Sequence, residues 1–266
     1  MPFAPRGTSL KVATWNVNSL RVRLPHVLKW LEREQPDVLA LQETKIRDDE
    51  FPADAFSQYG YLATFSGQSA YNGVAILSRA PLADITYDIG GGYADEQRRV
   101  LGATIGGVRL WSLYVPNGQS VDSDKYRYKL GWLAALRALL ADELTRHPSL
   151  LFVGDFNIAP DDRDVHNPEA WRGKIMCSPA ERAALTSLNE LGLRDTFRLF
   201  EQPDKVFSWW DYRAGAFRRN QGLRIDLVLA SGALSQKCRS CRIDKEPRGW
   251  ERPSDHVPVI AEFAAQ

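Results

Sequence analysis

Short runs of apolar residues rich in Val, Ile, Leu and aromatics recur between turn signals, and this pattern predicts strands. They occupy residues 11–16, 37–42, 61–65, 73–78, 100–105, 108–115, 150–155, 206–210, 225–230 and 259–263. Gly106-Gly107, between two of the runs, reads as a hairpin turn, because paired glycines accept the positive φ angles of tight hairpins. Three segments carry a helical period instead. Residues 24–34 open with Pro25 near the first turn and close before Pro36, as helix boundaries prefer. Residues 123–146 place Trp132, Leu136, Leu139 and Leu140 on one stripe and end at His147-Pro148. Residues 179–191 follow Ser178, a capping side chain, with Pro179 in the first turn and Gly192 at the exit.

Many strands with a few long helices predict an α/β fold of two packed sheets flanked by helices. No linker, low-complexity stretch or repeat divides the chain. It reads as a flexible lead-in over residues 1–9 and one domain over 10–266. The 44% hydrophobic and 11% aromatic content supplies apolar surface for a single well-buried core.

Several of these strands end in carboxylates, amides or histidine. Residues 12–15 run into Asn16 and Asn18, 38–41 into Gln42-Glu43, and 151–154 into Asp155-Phe156-Asn157. Arg224-Ile225 leads to Asp226, and Ser254 leads to Asp255-His256 just before the last run. If the strands lie side by side, one cleft gathers Asn16, Glu43, Asp155, Asn157, Asp226, Asp255 and His256. Alone, Glu43 reads as a solvated strand end, and Asp155-Phe156-Asn157 reads equally as a capping turn or as a site. Five such ends together point to a site. Oxygen donors with several acids suit a hard cation, Mg²⁺ or Mn²⁺, rather than zinc.

That inventory suits phosphodiester hydrolysis, which requires neutralised phosphoryl oxygens and an in-line water. Glu43 and its neighbours would hold the metal, Asp155 would orient or deprotonate the water, and Asn157 would donate to the developing charge. His256 would contact the phosphate, oriented by Asp226.

Net charge narrows the partner little: 34 Lys+Arg against 33 Asp+Glu leave +1, and binding depends on where charge clusters. Three cysteines argue against a secreted disulfide framework and for a reducing cytoplasm. Cys238 and Cys241 form a C-x-x-C pair without a second such pair, so they read as free thiols. No signal-like or membrane-length apolar run occurs, so a cytoplasmic protein without a membrane partner is expected.

Seven blocks then make the chain recognisable: residues 14–20 (TWNVNSL), 36–45 (PDVLALQETK), 71–76 (YNGVAI), 113–118 (LYVPNG), 154–160 (GDFNIAP), 220–226 (NQGLRID) and 254–256 (SDH). In order and content they resemble the exonuclease III and apurinic/apyrimidinic (AP) endonuclease family, over nearly the whole chain. The resemblance implies a four-layer α/β sandwich and Mg²⁺-dependent hydrolysis of DNA leaving 3′-hydroxyl and 5′-phosphate ends. By matching position it makes Asn16, Glu43 and Asp255 metal-site residues, with Asp155 and Asn157 shared between metal and chemistry. It makes Asp155 the water activator, Asn157 the transition-state amide, Asp226 and His256 a supporting pair, and Tyr114 the active-site tyrosine. Its partner would be double-stranded DNA with abasic sites, nicks or 3′ ends, met by a monomer.

Residues 207–224 mix aromatics with Arg213, Arg218, Arg219 and Arg224, a composition that suits stacking and phosphate binding. Trp209, Arg224 and Asn117, in the rim loop 116–118, are the expected DNA contacts. One of Trp209 and Trp210 reads as core, and any wedge beside Arg224 would be Leu223. Two other readings share these residues: a metallo-phosphodiesterase or phosphatase acting on a non-DNA phosphoester, and a DNA-binding module without catalysis.

Overall fold

The protein is described by a computed structural model over residues 9–264. The expected lead-in lies outside the described residues except for Ser9, which already belongs to the first strand. Twelve strands are β1 (Ser9–Asn16), β2 (Val38–Gln42), β3 (Leu62–Ser66), β4 (Val74–Ser78), β5 (Ala83–Thr86), β6 (Val100–Ile105), β7 (Val108–Tyr114), β8 (Leu150–Asp155), β9 (Leu193–Asp195), β10 (Asp226–Ser231), β11 (Cys238–Ile243) and β12 (Val259–Ala264). The helices are α1 (Leu20–Glu34), α2 (Ala53–Ser57), α3 (Asp124–Arg146), α4 (Pro168–Trp171), α5 (Pro179–Glu190) and α6 (Gly232–Ser235).

The strands form two six-stranded sheets, ordered β11-β12-β1-β2-β4-β3 and β5-β6-β7-β8-β10-β9. Each sheet holds one parallel pair, β1–β2 and β7–β8, crossed by α1 and α3 respectively, within otherwise antiparallel neighbours. Alternation along the strands sorts the side chains into three apolar layers. Val12, Ala40, Ile76, Leu110, Val153 and Val228 fill the space between the sheets. Trp111, Phe152 and Leu229 face α3 and α5, while Trp15, Leu39 and Leu77 face α1. The result is the expected α/β four-layer sandwich of two mixed sheets.

Differences from the sequence reading have physical causes. Residues 206–210 form no strand: Trp209 makes only isolated bridges to Leu223 and His256, so the run is a loop pinned beside the site. β5, β9 and β11 were not expected. All three are edge strands, where polar and charged residues blunt further pairing and erase the apolar signal. Helix α1 starts at Leu20 after Ser19, which leaves Pro25 inside it rather than at its start. The carbonyl without an intrahelical partner there belongs to exposed Arg21, where water can satisfy it. Helix α5 follows the expectation: Ser178 caps it, with Glu181 completing a capping box.

Candidate active site

The inter-sheet face changes chemistry along its length. Beyond the apolar layer, Thr14 donates to Gln42 at 3.1 Å, and the Gln42 amide donates to Ser112 at 3.1 Å, so this buried polar band is internally satisfied. One pleat further on, the same face carries Asn16 on β1, Tyr114 on β7, Asp155 on β8 and Asp226 on β10. Strand register sets them side by side: Tyr114 pairs with Asp155, and Asp155 with Asp226. Gly154 makes that register possible, since a Cβ there would lie 1.9 Å from the Leu113 carbonyl oxygen of the neighbouring strand.

Two carboxylates directly opposite one another repel. Two side chains offset this. Ser208 donates to Asp226 Oδ2 at 2.7 Å, and His256 Nδ1 lies 2.9 Å from the same oxygen. His256 Nε2 faces Asp155 Oδ2 at 3.7 Å. Burial alone would lower the His256 pKa, but the Asp226 and Asp155 carboxylates on either side raise it to about 10. Burial pushes the Asp155 carboxyl up to about 7, against the pull of His256. Tyr114 is raised well above the usual phenol range, first by burial and then by Glu43 and Asp155, so its hydroxyl stays a donor. The Arg99 guanidinium lies 4.6 Å from the Tyr114 ring centre.

Glu43 arrives from the other sheet. Its φ of 50° turns the chain at the end of β2. The Asn16 amide then bridges the sheets, donating to Glu43 Oε1 and to Asp155 Oδ2, each at 2.9 Å. Glu43, Asp155 and His256 bring ligand atoms within 4.8 Å of one another, a cluster able to hold a metal ion. Two carboxylates from opposite sheets fit a hard divalent cation by charge and donor type. Asp226 Oδ1 is buried without a hydrogen-bond partner among the described residues.

Asn157, at φ 49°, donates to Asp155 Oδ2 at 3.2 Å and to the Val115 carbonyl at 2.9 Å. Its Oδ1 accepts from Asn117 at 3.0 Å. Asp255 is not among the three clustered ligands. Its carboxylate accepts from Asn18 and from the Trp209 indole, each at 3.0 Å. From Asn18 two links run on to Glu43: the Asn18 N–H donates to Asn16 Oδ1 at 3.0 Å, and Lys45, which sequence reading missed, bonds Asn18 Oδ1 at 2.7 Å and pairs with Glu43 at 2.8 Å. Lys45 stands two residues after Glu43, at the end of the 36–45 block.

Among the expected DNA contacts, Asn117 joins a groove that also holds Tyr71, Asn72, Arg99, Tyr114 and Lys125. Tyr71 is 70% exposed. Trp209 is half-buried beside the site, and Trp210 is core. Arg224 is corrected: it is 1% exposed, bonded to Asp164 Oδ1 at 2.6 Å and Asp195 Oδ2 at 2.7 Å, so no phosphate reaches it. Leu223 is fully buried and is no wedge. Arg213, Arg218 and Arg219 are the exposed cations of that segment. All three cysteines are free thiols, and burial raises Cys177 and Cys238 to about 11 and Cys241 to about 12.

Comparison with known proteins finds relatives over nearly the whole chain. The chain is 36% identical to exodeoxyribonuclease III of Haemophilus influenzae, over 96% of this chain and 100% of the relative. Its fold superposes with a TM-score of 0.94 on a 3′ phosphatase, NExo, from Neisseria bound to a product DNA hairpin. That protein is 47% identical, with 96% of this chain and 99% of the other covered. An AP endonuclease from Archaeoglobus fulgidus gives a TM-score of 0.91 at 39% identity, over 96% and 99% of the two chains. A family model spans residues 13–256, the whole stretch from β1 to His256, and on that match the chain belongs to the endonuclease/exonuclease/phosphatase family.

Proposed function

We propose that the chain is a Mg²⁺-dependent DNA repair nuclease, with Mn²⁺ as a substitute. It hydrolyses the phosphodiester at abasic sites and processes 3′ ends, leaving 3′-hydroxyl and 5′-phosphate termini. The observation that carries this reading is the row Tyr114–Asp155–Asp226, capped by His256 and faced by Glu43 across the sheets. The DNA-processing relatives supply the substrate class. The named 3′ phosphatase, at 47% identity, favours removal of 3′-phosphates from DNA alongside strand cleavage.

A cation held by Glu43, with Asp155 and His256 adjacent, would neutralise charge on the phosphoryl oxygens. The rest falls to the chain's own groups. Both ring nitrogens of His256 face carboxylates, at 2.9 Å and 3.7 Å, which favours the doubly protonated ring as a donor to a phosphate oxygen. Asp155, held by Asn16 and Asn157, is left as the acceptor for the proton of the attacking water. The Asn157 amide and the protonated Tyr114 hydroxyl are the remaining donors to developing negative charge.

Time courses on matched abasic, nicked, recessed and 3′-phosphorylated duplexes, with Mg²⁺ and with EDTA, test the proposal. Cleavage of the abasic strand that EDTA abolishes is expected. Hydrolysis of a phospholipid or inositol phosphate without action on DNA would overturn it.

A further inference from the structure

Lys129 lies on the second turn of α3, with its side chain 0% exposed. Its ammonium has three protons and three acceptors. It donates to the Asn157 carbonyl at 2.7 Å, to the Asn117 carbonyl at 3.1 Å, and to the Glu181 carboxylate. The two carbonyls belong to the two residues whose side-chain amides meet at the site, Asn117 to Asn157 at 3.0 Å. Asn157 holds a left-handed backbone at φ 49°, which asparagine tolerates better than most L-residues, and the Lys129 contact to its carbonyl helps to fix it there.

Glu181 is anchored in turn. It accepts from the backbone N–H groups of Met176 and Ser178, each at 3.0 Å, inside the capping box of α5. Gly118, next to Asn117, lies against the Lys129 stem: a Cβ there would come within 3.1 Å of Lys129 Cδ and 2.9 Å of Ile175 Cδ1. The two active-site loops, α3 and α5 are thus joined at one buried cation. A hydrophobic side chain of the same length would pack in that place but would leave both carbonyls unheld.

We infer that Lys129 is a positioning residue for the reaction, setting the Asn117–Asn157 amide pair against Asp155 by gripping both backbone carbonyls from behind. This rests on the hydrolytic reading above. It differs from a purely structural role of the Lys129–Glu181 pair, because it predicts loss in the chemical step rather than in folding or duplex affinity.

The test is the double variant Lys129→Met/Glu181→Gln, which removes both buried charges and keeps an acceptor for the α5 cap. Single-turnover cleavage of an abasic duplex with Mg²⁺ is measured beside duplex Kd and Tm. Misplaced catalytic groups cost on the order of 10²-fold, so a fall of that order is expected with Kd unchanged within about threefold. Leu188→Ala, in the apolar core of α5, serves as the stability control and should keep its rate within about threefold while Tm falls. If the double variant does not fold, Lys129→Arg carries the same readout, since a planar fork keeps the Glu181 pair but not the three-way grip. A rate near wild type in the folded variant, or an equal loss in Leu188→Ala, overturns the inference alone. Wild-type protein inert on every duplex overturns the hydrolytic reading and the inference together.

Discussion

The Asp155 carboxylate accepts three hydrogen bonds, from the Asn16 amide, the Asn157 amide and the Asn157 N–H, and still faces His256. Asp155→Asn keeps the volume but gives up the charge and the basicity. His256→Ala removes the group that separates Asp155 from Asp226 and returns two facing carboxylates to one rung of the sheet. Each variant is expected to lower kcat by on the order of 10² or more, with circular dichroism unchanged. A near-normal rate in either would refute the role assigned to that residue. Arg224 is the opposite case. Its guanidinium is buried and paired through Nε and Nη2 with Asp164 and Asp195, residues far away in sequence, so the aromatic-rich segment around it could not reveal that burial.

At the level of elements, the tip of α1 is tied to both neighbours. Glu34 accepts from Lys11 on β1 at 3.0 Å and pairs with Arg242 on β11. Burial alone would raise the Glu34 pKa, but the Lys11 hydrogen bond and the Arg242 and Lys11 charges bring it below the usual value. A carboxyl depressed in the folded state stabilises above its unfolded pKa, and that contribution is lost as pH falls through the folded value. Glu34→Gln should therefore cost about 1 kcal/mol near pH 7, with the gap to wild type closing below about pH 4. Urea titrations at both pH values check this, and a gap that persists in acid would contradict it. Elements also mark how far sequence reads. The central strands were legible because both of their faces are buried and their apolar runs are nearly unbroken. Edge strands β5, β9 and β11 were not, since their pairing is set by neighbours and their solvent side is polar. The site was legible because Asn16, Asp155 and Asp226 continue faces that carry Val12, Val153 and Val228. The Asn18–Lys45 relay and the Lys129 grip were hidden, since each depends on partners brought together only by the fold.

Across the whole molecule, the two sheets share one apolar layer and one polar end, and at that end Glu43 belongs to one sheet while Asp155 belongs to the other. The Asn16 amide joins the two carboxylates across the sheets and holds them close together. A cation bound to the folded cluster but not to the unfolded chain stabilises the native state by RT ln(1 + [L]/Kd). At ten times its Kd that amounts to about 1.4 kcal/mol, or roughly 2–3 °C in Tm for a chain of this size. The effect should be global rather than local, because the ligands come from both sheets and separating them exposes the shared layer. Glu43→Gln keeps an acceptor for Asn16 but loses the charge, so it should lose most of the Mg²⁺-dependent rise in Tm. Its Tm in EDTA should change little, since the same substitution removes both the Lys45 pair and the repulsion from Asp155. Thermal melts of wild type and variant across a Mg²⁺ series decide the point. An equal rise in both proteins would mean that the ion binds elsewhere and that Glu43 does not join the sheets through it.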